Sequence, residues 1–315
     1  MNTLELVDPE LRPLLAIFPT QQLTHENLAD ARLRKLLIPA PANSDVDVRD
    51  ALVPGTGNAP AVPVRIYKPA SDKPLPCIFH MHGGGYVMGS AKELTGMHRA
   101  AASALRCAIV SVDYRLAPET CFPGNIEDCY AALAWTFANA SSEGFDATCI
   151  GVMGESAGGG LAASLAIMAR DRGEVSLAFQ HLIYPMLDDR TCTQADPHPT
   201  AGEFVWHAHN NLFGWESLLG HPPGLQYVSE YAAAARAKNL AGLPPAFIST
   251  GALDLFVDED IDYARRLNRA GVSVELHVYP GAFHGFTLMP DATVANAARR
   301  DSFEALYRFL RPFRL

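Results

Sequence analysis

Five residues, Gly154-Glu155-Ser156-Ala157-Gly158, join an apolar run at 149–153 to a helical pattern at 161–170. A G-x-S-x-G turn between strand and helix forces its serine into a strained conformation. Flanking glycines avoid Cβ clashes there, and Oγ projects from the carboxyl edge of a sheet. Ser156 is therefore a candidate nucleophile; the plainer alternative is a glycine-rich turn whose serine caps the helix. A second glycine run, His82-Gly83-Gly84-Gly85, follows another apolar segment. Amides in such a run can face a developing oxyanion with no side chain in the way. The N–H groups of Gly84 and Gly85, with that of Ala157 after the serine, are the candidate donors to a tetrahedral intermediate.

A hydroxyl is a weak nucleophile at neutral pH, so it needs a base, and the base needs a carboxylate to orient it and stabilise its charged form. In sheets that carry such a serine the chain order is serine, acid, histidine. Asp254, in Gly251-Ala-Leu-Asp-Leu-Phe-Val-Asp258, and His284, in Tyr279-Pro-Gly-Ala-Phe-His-Gly-Phe286, satisfy it. Both follow apolar runs, at strand ends where open sheets place catalysts. Asp258 is the rival acid, but its place suits capping a helix that begins near 259. His80 and His82 share a strand face without a third metal ligand; His181 and His277 fall inside strands, and His207 and His209 in an irregular segment. No metal and no cofactor is expected.

The elements that must position these groups alternate. Strand patterns at 46–52, 62–67, 77–82, 107–113, 149–153, 179–184, 246–250 and 272–279 are separated by helical ones at 92–105, 125–139, 157–171, 259–270 and 293–311. That rhythm implies an α/β fold with an eight-stranded, mostly parallel sheet covered by helices on both faces. The short link between the first two strands makes them an antiparallel edge pair. Residues 188–231 break the rhythm with four prolines and the aromatics Phe204, Trp206, Phe213 and Trp215. So long an insertion reads as a lid or binding element. Residues 1–44, with Leu33, Leu36 and Leu37 at helical spacing and Thr24 as a cap, are expected to join it as a helical cap over a catalytic body at 45–187 and 232–315.

Composition narrows the function. Of 315 residues, 49% are hydrophobic and 19% charged, enough apolar matter for a large core, and the net charge of −9 offers no basic surface for nucleic acid or an anionic membrane. The longest apolar stretch, 157–169, is well short of the roughly 20 residues that span a bilayer. The first ten residues carry three acids and no base, unlike a secretory signal, so a cytoplasmic location is expected. Six unpatterned cysteines are expected to be mostly buried thiols.

His82-Gly-Gly-Gly, Asp113-Tyr-Arg-Leu-Ala-Pro-Glu119, Gly154-Glu-Ser-Ala-Gly-Gly159 and the Asp254 and His284 loops together resemble the hormone-sensitive-lipase family of α/β-hydrolases, in order over residues 45–315. Phe122-Pro-Gly, Asp128-Cys-Tyr-Ala-Ala and Ala169-Arg-Asp-Arg-Gly173 are most similar to its bacterial carboxylesterases of the heroin esterase subgroup. The resemblance implies the α/β-hydrolase fold, a helical cap, a Ser156-Asp254-His284 triad, an oxyanion hole at Gly84, Gly85 and Ala157, and cofactor-free hydrolysis of short to medium acyl esters. Where many relatives have aspartate before the serine and Asp-Pro-Leu-Arg-Asp in the acid loop, this chain has Glu155 and Asp254-Leu-Phe-Val-Asp258. Glu155 is expected to brace the elbow or the His284 loop, and Arg115 to join a carboxylate in a buried pair. Tyr86, Tyr184, Trp206 and Phe213 are candidate pocket residues for a small neutral ester. Amide hydrolysis or deacetylation on the same triad, and ligand binding without turnover, are the alternatives. The last strand, as a sheet edge, invites a homodimer.

Overall fold

Runs of β-branched and apolar residues form eight strands: Val46–Val53 (β1), Val62–Pro69 (β2), Leu75–Met81 (β3), Ala108–Val112 (β4), Phe145–Glu155 (β5), Gln180–Ile183 (β6), Ala246–Gly251 (β7) and Val274–Tyr279 (β8). The structure is a computed structural model that describes residues 2–18, 21–34 and 45–311. Leu36 and Leu37 of the N-terminal pattern lie outside those residues.

One sheet holds all eight strands in the order β1-β2-β4-β3-β5-β6-β7-β8. β2 runs antiparallel to both β1 and β4, and every other pairing is parallel. The connections after β3, β5, β7 and β8 therefore gather at one edge of the sheet. β5 is longer than its apolar pattern and runs straight into Glu155, so the serine sits at the very tip of a central strand. The helix behind it, Ala157–Arg172, is buried from Ala157 through Ala169. Its glycines and alanines let it lie close to the sheet, and its basic residues Arg170 and Arg172 fall in the last turn, where they complement the helix dipole.

Two differences from the expected elements matter. The helix expected from 259 begins at Val257, with Phe256 as its N-cap, because Asp254 turns the chain early by accepting the Phe256 N–H at 3.0 Å. Asp258 is thus an exposed first-turn acid and not the cap. Within 188–231 a single helix forms, Ala208–Leu219. The N-terminal segment touches it directly: Asn210 accepts from Leu23 N and donates to Gln21 O, and the ring of Phe213 meets that of His25 edge-on. Leu23 and Leu28 join the main core with Tyr86, Val87, Trp206 and Trp215, while Val7, Leu11 and Leu14 pack with Phe283 and Phe286 of the loop after β8. Among the described residues no helix is long and apolar enough to cross a membrane.

Candidate active site

Ser156 occupies the turn between β5 and its helix with φ 56° and ψ −123°, a region that costs a non-glycine residue on the order of 1–3 kcal/mol. The surrounding packing over-determines it. The Ser156 N–H donates to Ile183 O at 2.9 Å, its carbonyl accepts from Gly160 N and Met186 N at 3.0 Å each, and a Cβ on Gly158 would collide with the carbonyl oxygens of Met81 and His82. The elbow is thereby pressed against the end of β3.

β7 and β8 deliver the other two groups. Ala252 N donates to Tyr279 O and Leu253 N to Ala282 O, at 2.8 and 2.9 Å, so the acid and histidine loops are zipped together by backbone bonds that need no proline. Asp254 is fully buried; one oxygen accepts from Phe256 N and the other from His284 Nδ1, at 2.8 Å. His284 Nε2 lies 2.8 Å from Ser156 Oγ. A carboxylate can only accept, so Nδ1 carries the imidazole proton and Nε2 is left to accept from the serine hydroxyl. The ring is held edge-on by Tyr184 and Phe256, at centroid distances of 4.8 and 5.1 Å. Three side chains from three separate loops thus meet in one hydrogen-bonded line.

The glycine run completes the arrangement. A Cβ on Gly83 would come within 3.0 Å of Glu155 O and 3.4 Å of Ser156 Cβ, so the loop lies directly on the elbow. Gly84 has φ 116°, and a Cβ there would run into Met88 O; only glycine fits. Ala157, the first residue of its helix, adds an amide at the positive end of the dipole.

The pocket candidates fall into different settings. Trp206 lies over Gly85, with its ring 6.4 Å from that of His284 and its indole N–H donating to Asn211 Oδ1 at 3.3 Å. The Tyr184 hydroxyl is paired with Thr287 at 2.9 Å, and burial raises its pKa. Tyr86 is fully buried against Trp215, its hydroxyl donating to Met186 O at 3.1 Å, and Phe213 faces the N-terminal segment.

Glu155 has a partner that sequence alone did not name. His80 bridges three strands, with Nδ1 3.0 Å from Ser111 Oγ of β4 and Nε2 2.9 Å from the Glu155 carboxylate at the end of β5. Glu155 therefore ties the elbow to β3. Arg115 makes a two-pronged pair with buried Asp128, both bonds at 2.7 Å. His82 stacks on Tyr114 at 4.3 Å, its Nδ1 2.8 Å from Gly83 O, and burial pushes its pKa down to about 4. His98, against His80 at 4.2 Å, is held well below the usual histidine range by the same cause. His181 stacks on Phe247, His277 pairs with Glu275, and His209 meets Leu23 O. Among the described residues no three metal-ligating side chains are gathered. All six cysteines are free: four are buried, Cys192 is half-buried and Cys121 exposed.

The supports that sequence reasoning missed are Tyr114, whose hydroxyl donates to His82 O at 2.8 Å, and Asp113, which accepts from Ala91 N at 3.0 Å. Their signal was present in the Asp113–Glu119 motif, but a motif does not state what it touches.

A family profile for the α/β-hydrolase fold matches residues 78–288. The chain is 36% identical to carboxylesterase NlhH of Mycobacterium tuberculosis over 289 residues, covering 89% of this chain and 88% of that protein. It is 34% identical to esterase LipI of the same species over 303 residues, 92% of each. Among solved structures, a bacterial heroin esterase superimposes with a TM-score of 0.89 at 39% identity, covering 98% of this chain and all of that one.

Proposed function

The chain belongs to the hormone-sensitive-lipase family of α/β-hydrolases, and from that premise we propose that it is a serine carboxylesterase acting on short- to medium-chain acyl esters through an acyl-serine intermediate. The observation that carries the reading is the buried line from Asp254 through His284 Nδ1 and Nε2 to Ser156 Oγ. The names of the relatives support the ester class.

Ser156 Oγ attacks the ester carbonyl carbon while its proton passes to His284 Nε2, and Asp254 stabilises the imidazolium. The carbonyl oxygen becomes an oxyanion received by the amides of Gly84, Gly85 and Ala157. Collapse breaks the bond to the alkoxy oxygen, which takes the proton from His284 and leaves as the alcohol. Water then gives a proton to His284 as it attacks the acyl carbon, and the carboxylic acid departs as Ser156 regains its proton. Trp206, over the glycine loop and near His284, limits the size of the acyl group. Residues 1–44 and 188–231 act together as the cap. Six free thiols suit a reducing compartment, the cytoplasm. A second copy pairs along edge strand β8, where Leu276 and Val278 are exposed; light scattering that finds only monomer would remove that part.

The test is hydrolysis of p-nitrophenyl esters from acetate to palmitate, with a matched anilide, by native protein and Ser156→Ala. Short esters should be cleaved, with rates falling beyond about eight carbons, and the variant should lose several orders of magnitude in kcat. A maximum at long chains, faster anilide cleavage, or turnover that does not depend on Ser156 would each overturn the reading.

A further inference from the structure

The glycine loop after β3 carries two of the three proposed oxyanion donors. Its own turn closes on Gly84 O, which accepts from Val87 N and Met88 N at 3.1 and 3.0 Å, and His82 Nδ1 lies 2.8 Å from Gly83 O. Its remaining carbonyls are taken up from outside. His82 O accepts from the Tyr114 hydroxyl and Tyr86 O from Ala117 N, at 2.8 and 3.0 Å, both donors belonging to the segment that follows β4. The next carbonyl, Val87 O, accepts from Arg32 Nε at 2.7 Å. Arg32 lies in the N-terminal helix Leu28–Leu33, 55 residues earlier. The same guanidinium donates from Nη2 to Ala117 O at 2.9 Å and makes a two-pronged pair with Glu119, at 2.6 and 2.8 Å. One side chain thus spans the loop after β3 and the segment after β4 at the point where they already meet through Ala117 N.

We infer that Arg32 is a positioning residue for the oxyanion hole, a clamp by which the N-terminal helix fixes the loop bearing Gly84 and Gly85. The inference rests on the esterase reading for its kinetic consequence and on geometry for the clamp itself. The two carbonyl bonds are the anchor. Glu119 is 62% exposed against 26% for Arg32, so the ion pair itself contributes little and serves to aim the guanidinium. The guanidinium holds the Glu119 carboxyl down to about 2, so the pair stays charged throughout any esterase assay. Only a planar fork reaches two carbonyls and a carboxylate at once, so lysine is not an equivalent here. A hole whose donors wander must pay for their ordering in the transition state, which lowers kcat while leaving ground-state binding largely alone.

The experiment compares full-length native protein with Arg32→Ala, Arg32→Lys and Glu119→Gln. It reads kcat and KM on p-nitrophenyl butyrate, inhibition by an aryl trifluoromethyl ketone that adds to serine as an oxyanion mimic, and amide hydrogen exchange over residues 82–92. Arg32→Ala should lower kcat about 10-fold and weaken the ketone by a similar factor, with KM within about 2-fold. Exchange over 82–92 should quicken. Arg32→Lys should show most of the same loss, and Glu119→Gln should stay within about 3-fold of native. A raised KM with unchanged kcat and ketone affinity would overturn the inference, since the helix would then only border the substrate. Unchanged exchange over 82–92 would overturn it whether or not the protein turns over esters. Absence of Ser156-dependent turnover in native protein would instead remove the esterase reading, and quickened exchange in Arg32→Ala would still support the clamp.

Discussion

The two loops that flank the serine differ in what holds them. The elbow, 154–158, is a run of consecutive residues locked by backbone contact: Gly158 has no room for a Cβ because two carbonyls from the end of β3 occupy it. The glycine loop, 82–89, closes its own turn through Val87 N and Met88 N on Gly84 O and is tied down by side chains from elsewhere, Tyr114 on His82 O and Arg32 on Val87 O, at separations of 32 and 55 residues, with Asp113 on Ala91 N just beyond it. The difference teaches where tolerance lies. A steric lock has no intermediate setting, whereas a loop tied by several hydrogen bonds loosens bond by bond.

The largest expected effect breaks the steric lock. In Gly158→Ala the added methyl must displace backbone at the end of β3, so kcat should fall by about 100-fold or more and the melting temperature should drop. A variant within 10-fold of native kcat would show that the elbow yields, and the contrast would fail. Tyr114→Phe removes one bond from the glycine loop and keeps the stacked ring under His82. A loss of about 1 kcal/mol is expected, seen as a several-fold lower kcat and a melting temperature a few degrees lower. A loss as large as that of Gly158→Ala would make both loops equally brittle.

The smallest effect sharpens the contrast through pH. Near the end of β3, His82 and His98 are buried as neutral rings, with pKa values below the ordinary 6.5. An unfolded chain takes up protons there as pH falls below about 6.5 while the folded one refuses them, so stability is full above that value and declines as pH falls toward about 4. Both ring nitrogens of His98 are buried without a protein partner. His98→Phe keeps the shape and removes the titration, so the melting curve should flatten between pH 6.5 and 4.5, with the variant gaining on native protein most at the acid end. Parallel curves for the two proteins would exclude His98 as a source of acid lability.

How much was legible depended on distance along the chain. The strand-to-helix turn at Ser156, the glycine run at 82–85 and the strand ends before Asp254 and His284 each announce themselves within ten residues, because period, glycine placement and apolar runs are local properties. Strand order was partly legible: the antiparallel edge followed from a short link. The partner of Glu155 was not, since either the elbow or the His284 loop was in reach by sequence, and only the parallel pairing of β3 between β4 and β5 sets His80 between Ser111 and Glu155. The helix Val257–Arg269 starts two residues before its sequence pattern, because the Phe256 N–H donates to Asp254 and shortens the turn.

By itself the sequence determined which residues carry the chemistry and which turn type presents each of them. A nucleophile elbow is specified by what its own backbone can adopt. Tertiary structure alone decided which outside groups tie the glycine loop down: Tyr114, Asp113 and Arg32 became its supports only when the segment after β4 and the N-terminal helix docked beside it. The physical reason is that a hydrogen bond between residues 22 to 55 apart depends on where whole elements come to rest, and that is set by burial of the core they share and not by any pattern within the loop.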